Sequence, residues 1–275
     1  MSEPPTTIDG QKDFFGHDGQ AEMYKHFRPE YPNEVIEYIL AKVPPTTRKV
    51  YVDVACGSGQ MTYLLAPHFE KSIGLDKSEE QISQTTSLGS NLEFLAGSAF
   101  CLPVADSSVD LVTVAEALHW LVPHKDFFKE VERVLKPGGV FVTVAYSFSQ
   151  PVHAGAKKLA NYYDQYVLGR RLEPGQPGCW WDTNTHSIDC QYMDVAFPEN
   201  CVGLERVSFP TTVKMSVQQY FGYMRTLSAY RTLMCSGVTD PLIQLQADMM
   251  HALGCKSASD EMEVTHPFFA LSFSI

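Results

Sequence analysis

Val52-Asp53-Val54-Ala55-Cys56-Gly57-Ser58-Gly59 is the stretch whose reading decides the fold. An apolar run ends in a glycine turn, and the spacing of Gln60 to Ala66 predicts a helix beyond it, so the segment reads as a strand-to-helix junction. In an open α/β sheet a ligand binds at such a junction, outside the carboxyl ends of the strands. Gly57 and Gly59 carry no Cβ atoms there, which lets a ligand approach the main-chain amides at the helix N-terminus.

Working outward, short apolar runs alternate with helical segments. Ser72 to Asp76, Leu92 to Leu95, Val109 to Val114 and Val140 to Tyr146 read as four more strands. Upstream, Val35, Ile36, Ile39, Leu40 and Val43 mark one face of a helix that opens at Asn33 and ends at Pro44-Pro45. Ser78-x-x-Gln81 is a capping box, and Phe127, Phe128, Val131, Val134 and Leu135 form the stripe of a helix that starts near His124. Lys136-Pro137-Gly138-Gly139 stops that helix. Near-continuous apolar strands separated by helices imply a parallel sheet covered on both faces. Past Gln150 the pattern loosens. Leu159, Tyr162, Tyr163 and Tyr166 share a helical register, Gly169 to Pro198 is a long loop, Arg206 to Val213 is a sixth strand and Glu263 to Ser274 a last one. Residues 1–12 read as a disordered tail and 13–275 as one domain, with a cofactor-binding half (13–147) and a sheet-completing, substrate-covering half (148–275).

Strand two ends in Asp76, whose carboxylate can accept both hydroxyls of an adenosine ribose. A dinucleotide fingerprint would place its third glycine where Thr62 stands, which disfavours a nicotinamide-dependent oxidoreductase. Asp53, just before the glycine turn, would oppose a pyrophosphate but suits a cofactor with an ammonium group, such as S-adenosylmethionine. Further segments fall in order along the chain: Gly97-Ser98-Ala99, Leu102-Pro103-Val104, Asp106-Ser107-Ser108-Val109-Asp110-Leu111, Glu116-Ala117-Leu118-His119-Trp120 and Val134-Leu135-Lys136-Pro137-Gly138-Gly139.

In this order the set resembles the class I S-adenosylmethionine-dependent methyltransferases from about Tyr24 to Tyr146. The resemblance implies a Rossmann-like α/β fold. Its mostly parallel sheet has seven strands in the order 3-2-1-4-5-7-6, strand seven antiparallel, with helices on both faces and a C-terminal cover. It implies a cofactor loop of Asp53, Ala55, Gly57, Ser58 and Gly59, a ribose ligand at Asp76 beside Lys77, an adenine-side pair at Ser98-Ala99, and a further cofactor contact at Ala115. Two positions depart from the pattern. Ala55 stands where the family commonly has glycine, which costs little on the condition that its φ is negative, and Ser98 stands where many members have aspartate.

Tyr24-x-x-Phe27-Arg28-Pro29-x-Tyr31-Pro32, Ala117-Leu118-His119-Trp120 and Tyr223-Met224-Arg225-Thr226-Leu227-Ser228-Ala229-Tyr230 look like the small-molecule carboxyl methyltransferases of the trans-aconitate type and their juvenile-hormone-acid relatives. That resemblance folds Tyr24 and Arg28 over the cofactor and turns His119 and Trp120, the candidate catalytic pair, towards the acceptor. Tyr31, Trp181 and Arg225 are the candidate substrate contacts. Each has a plainer reading: His119 and Trp120 as packed core, Arg28 as a surface arginine, Trp180-Trp181 as ordinary packing. A carboxylate acceptor is already ionised at neutral pH and needs no base, whereas an amine or phenol would draw on His119. O-methylation of a carboxylate is the first expectation. N- or C-methylation with His119 as base and a non-catalytic cofactor-binding adaptor are the alternatives.

Composition narrows the partners. In 275 residues, 21 are Lys or Arg and 32 are Asp or Glu, a net charge of −11 with no basic cluster. Such a chain is not expected to seek a nucleic-acid backbone, so a small molecule is the expected partner. Seven cysteines without a closely spaced pair, no apolar leader and no long apolar run predict a reduced, cytoplasmic protein with neither metal nor membrane span. The oligomeric state is left open.

Overall fold

The computed structural model describes residues 26–87 and 89–275. Tyr24 and the expected tail over residues 1–12 lie outside the described residues.

Eight strands make one sheet: β1 (Val50–Val54), β2 (Lys71–Asp76), β3 (Leu92–Ala96), β4 (Val109–Ala115), β5 (Leu135–Tyr146), β6 (Gln150–Pro151), β7 (Val202–Ser216) and β8 (Glu261–Ser274). Their order is β3-β2-β1-β4-β5-β8-β6, with β7 also paired to β8. The first five run parallel. The last strand is antiparallel between β5 and β7, Val140 facing Ser274 on one side and Val207 facing Ala270 on the other. Setting apart the two-residue β6, this is the expected order 3-2-1-4-5-7-6, with β8 in the seventh place and β7 in the sixth.

Burial on both faces explains why β1, β4 and β5 are apolar almost without interruption. Alternate side chains of the same strand enter different cores. Tyr51, Leu111, Val142 and Val144 join Val35 and Ile39 of the helix Asn33–Lys42 and Tyr220, Phe221 and Met224 of the helix Val217–Arg225. Val52, Val54, Val112, Val114 and Phe141 instead meet Phe127, Phe128, Val131 and Val134 of the helix His124–Val134. Truncating one of these fully buried aromatics, such as Phe141, costs about 3–5 kcal/mol in a close-packed interior.

Three sequence expectations change at their edges. The sixth strand is longer than Arg206 to Val213, because nearly its whole length pairs with β8. Strand five begins at Leu135 instead of Val140, since Leu135 pairs with Val109 ahead of an irregularity in register. In the helix Ala154–Tyr162 the buried residues are Ala156 and Ala160, with Tyr163 just beyond. Tyr162 and Tyr166, expected in the stripe, are 59% and 58% exposed and stack on one another at 5.1 Å. A π-helical turn over Tyr163–Val167 shifts the register there.

All seven cysteines are free. Among the described residues no helix is long and apolar enough to cross a membrane, and no three His, Cys, Asp or Glu side chains group as metal ligands.

Candidate active site

At the carboxyl ends of β1, β2 and β3 three loops are tied together around Asp76. Its Oδ2 accepts from the Gly57 amide at 2.8 Å and its Oδ1 from the Ser78 amide at 2.9 Å. Its carbonyl accepts from Gly97 at 2.8 Å, and Cys56 donates to Leu75 at 3.0 Å. Gly59 has φ +86°, and a Cβ there would lie 2.8 Å from the Phe94 ring, so both conformation and space require glycine. At Gly57, φ +56°, a Cβ would meet only the Gln81 side chain at 3.8 Å, so this face of the turn opens onto the space between the loops. A nucleoside set against that face would meet the main chain of the turn and, next to it, the Asp76 carboxylate that the turn holds. The rim therefore fits an adenosine-bearing cofactor.

Ser58 is buried in the turn, Lys77 follows Asp76 half-buried, and Ala115 closes β4 half-buried. Ala99 is buried, while the Ser98 hydroxyl accepts from the Phe100 amide at 3.2 Å and so shapes its own loop. Ala55 has φ +55°, so the condition for a low cost is not met, and a left-handed alanine carries a strain of about 1–2 kcal/mol. One expectation is corrected. Asp53, expected to face an ammonium group, is fully buried below the turn. Its Oδ2 accepts from the Thr62 hydroxyl at 2.5 Å and its Oδ1 from the Thr113 hydroxyl at 2.6 Å. Burial pushes this carboxyl up to about 6, against the two hydroxyl donors. Both oxygens are taken up inside the protein, so Asp53 braces the junction by its hydrogen bonds.

Beside this rim, past the ends of β4 and β5, lies a cavity lined by Arg28, Glu116, His119, Trp120, Tyr146 and Trp181 among others. Arg28 donates from Nη1 to the Tyr146 hydroxyl at 3.0 Å and from Nη2 to the Thr226 carbonyl at 3.1 Å. Its guanidinium also lies 5.8 Å from the Tyr223 ring centroid. Phe148, Ile188 and Leu227 complete an apolar wall. Trp181 enters on a loop that folds back through a bond from the Trp180 amide to the Leu168 carbonyl. Its indole lies 3.7 Å from the Arg170 guanidinium, and its buried Nε1–H has no hydrogen-bond partner. Arg170 itself is paired with Asp164 and Asp189.

His119 is buried, with Nδ1 at 3.2 Å from the Tyr192 hydroxyl. Burial, with the Arg28 and His124 charges behind it, drives its pKa down to about 3. It is therefore neutral at physiological pH and a weak proton acceptor. Of the sequence candidates, Arg28, His119, Trp120 and Trp181 come together in this cavity. Two do not line it. Tyr31 packs on Phe268 with ring centroids 5.9 Å apart, and Arg225 pairs with Asp240 at 3.8 Å.

The residue that sequence reasoning passed over is Glu116. It directly follows β4 with φ +57°, its amide donates to the Val144 carbonyl at 2.8 Å, and its Oε1 accepts from the Tyr146 amide. Burial pushes its carboxyl up to about 8, opposed by the Arg28 charge and the Tyr146 amide. The signal was present: a lone carboxylate immediately after an apolar strand, at the sheet end where ligands bind. Tyr146, Arg170 and Tyr223 were not legible as cavity residues, since only packing brings them there.

Comparison with known proteins points to a family. Residues 52–143 match the model of a family described as a methyltransferase domain. A Dictyostelium discoideum protein, named as a methyltransferase with no substrate in its name, is 27% identical over 274 residues, 98% of each chain. A trans-aconitate 2-methyltransferase of Acidovorax is 32% identical over 149 residues, 53% of this chain and 57% of the relative. Apart from the Dictyostelium protein, the chain spans about half the length of the curated relatives it matches. A methyltransferase structure from Anaeromyxobacter dehalogenans superposes with a TM-score of 0.74 at 23% identity, over 90% of this chain and 98% of that one, and shares its fold.

Proposed function

The chain belongs to the class I S-adenosylmethionine-dependent methyltransferases, and from that premise we propose that it methylates a carboxylate oxygen of a small molecule with an apolar body. One observation carries the proposal: the cavity sets the Arg28 guanidinium beside a histidine held neutral and non-basic. A guanidinium recognises a carboxylate, and a carboxylate needs no base to attack a methyl group.

The cofactor supplies an electrophilic methyl on a sulfonium. In this reading Asp76 accepts from the ribose hydroxyls, the Gly57–Gly59 turn lies against the cofactor, and Ser98-Ala99 meets the adenine edge. Lys77 and Ala115 line the same rim. Arg28 orients the acceptor and offsets its charge, while Trp181 offers its unpartnered Nε1–H as a second donor. His119 and Trp120 wall the cavity and exclude water, which strengthens every polar contact inside. The aromatic and aliphatic lining supports an apolar acid over a polyacid, since Arg170 is committed to two aspartates. Methylation of trans-aconitate, the activity named for the Acidovorax relative, is the polyacid comparison to run. The small-molecule acceptor and the single domain over 13–275 belong to the same proposal.

A second reading rests on Glu116. A hydroxyl or amine acceptor needs a base, and a cavity carboxyl pushed up to about 8 has the basicity for it. Incubation with labelled S-adenosylmethionine and a panel of acids, alcohols and amines separates the two. An alkali-labile product from an apolar acid is expected. A labelled product made only from alcohols or amines and stable to alkali overturns the carboxylate reading.

A further inference from the structure

Three features of Glu116 converge. Its backbone is left-handed, a conformation that costs a non-glycine residue about 1–2 kcal/mol and persists only when the surroundings hold it. Its side chain is fixed to the main chain of the neighbouring strand through the Tyr146 amide. That same Tyr146 takes the Arg28 guanidinium on its hydroxyl at 3.0 Å. Glu116 and Arg28 are therefore clamped from the two ends of one residue, side by side in the lining of one cavity. Nothing in the carboxylate reading above uses Glu116, and an ionised carboxylate in that place would repel the proposed acceptor.

We propose, on the carboxylate reading, that Glu116 is a specificity-determining residue that meets the acceptor as a hydrogen-bond donor, its carboxyl O–H on one acceptor oxygen while Arg28 engages the same carboxylate. The two carboxyls then share one proton and a single negative charge beside a guanidinium. Burial holds Glu116 protonated at neutral pH, which makes the donor available. The other acceptor oxygen forms the new O–CH3 bond as the S–CH3 bond breaks, its electron pair remaining on sulfur. The anionic acceptor becomes a neutral ester, the sulfonium a neutral thioether, and Glu116 keeps its proton throughout. An alcohol or amine gains much less from this arrangement.

The groups around Glu116 leave it as the titrating partner. Arg28, Tyr192 and Tyr223 interact with it electrostatically. His119, Arg170 and Asp189 line the same cavity. Burial raises both tyrosines above their ordinary range and lowers His119 to about 3. Arg170 and Asp189 are paired with each other.

The test uses the full chain saturated with S-adenosylhomocysteine and measures calorimetric affinity for decanoate, with 1-decanol and decylamine as controls, at about pH 6.5 and about pH 9.5, values that bracket the carboxyl. In the wild type decanoate affinity should fall about tenfold or more between the two. Glu116→Gln keeps a neutral donor, so it should bind decanoate within about threefold of wild type at the lower pH and lose the fall. Glu116→Ala should bind about tenfold more weakly at the lower pH. Wild-type affinity for decanoate that is independent of pH, or an equal fall in Glu116→Gln, overturns the role of Glu116 and leaves the carboxylate reading standing. Binding of decanol or decylamine without decanoate overturns the carboxylate reading itself, and no binding of any decyl probe overturns both.

Discussion

Around Asp76 the sheet end is organised by main-chain groups, the Gly57 and Ser78 amides on its carboxylate and the Gly97 amide on its carbonyl. Around Arg28 it is organised by side chains from distant segments: Arg28 ahead of the helix Asn33–Lys42, Glu116 to Trp120 after β4, Tyr146 at the end of β5, Trp181 in a loop and Tyr223 on a late helix. The first region lies within loops that follow three successive strands. The second exists only after the whole sheet has closed. Amides at fixed positions suit a cofactor that does not vary, while a wall of separately replaceable side chains lets the acceptor change without disturbing the rim.

The largest effect expected is at Asp76. Asp76→Ala removes the charged acceptor proposed for the ribose, so affinity for S-adenosylhomocysteine should fall by about 1.5–3 kcal/mol, roughly tenfold to a hundredfold. Because two amides also lose their acceptor, the apo protein should melt a few degrees lower, about 2–4 °C per kcal/mol for a chain near this size. Calorimetric titration that finds wild-type affinity in a destabilised variant would break the comparison, making Asp76 a brace and not a ligand contact.

Next comes Arg28. Arg28→Lys keeps the charge but loses the planar fork that reaches both the Tyr146 hydroxyl and the Thr226 carbonyl. KM for an acid acceptor should rise about tenfold with kcat changed less, and cofactor affinity should stay near wild type. An equal loss of cofactor affinity would merge the two regions into one site.

His119 should matter less to rate. With its pKa near 3 there is no imidazolium to lose near neutrality, so His119→Gln should keep kcat within about tenfold and share a flat wild-type profile between about pH 5 and 7. Stability has a definite sign. Below about 6.5 the unfolded histidine takes up a proton that the folded one refuses until about 3, so its contribution is present at neutral pH and is lost on acidification. Urea unfolding should show the variant losing less stability than wild type between about pH 7 and 4. An acid limb in rate that vanishes in the variant would restore His119 as a base.

The smallest effect is on the cofactor side. Ala55→Gly relieves a left-handed alanine, offset by a more flexible unfolded chain, and should raise stability by about 1 kcal/mol or less, seen as a melting temperature up to a few degrees higher. A lower melting temperature would mean that the methyl group of Ala55 contributes packing worth more than the strain.

The sequence alone determined the alternation of strands and helices, the glycine junction at Gly57 and Gly59, and Asp76 at the end of the second strand. These are local requirements: burial on both faces forces unbroken apolar strands, and a tight turn forces residues without a Cβ. Asp53 shows the limit of such reading, since its position before the turn was legible but its capture by Thr62 and Thr113 depends on the next strand over. The sign of φ at Ala55, the pairing of Arg225 with Asp240 and the clamping of Glu116 between Tyr146 and Arg28 were decided by tertiary structure. Arg28 lies 118 residues from the Tyr146 hydroxyl and 198 from the Thr226 carbonyl it binds. No local pattern encodes such contacts, because they form only when β5 and the helix that follows β7 are packed against the same face of the sheet.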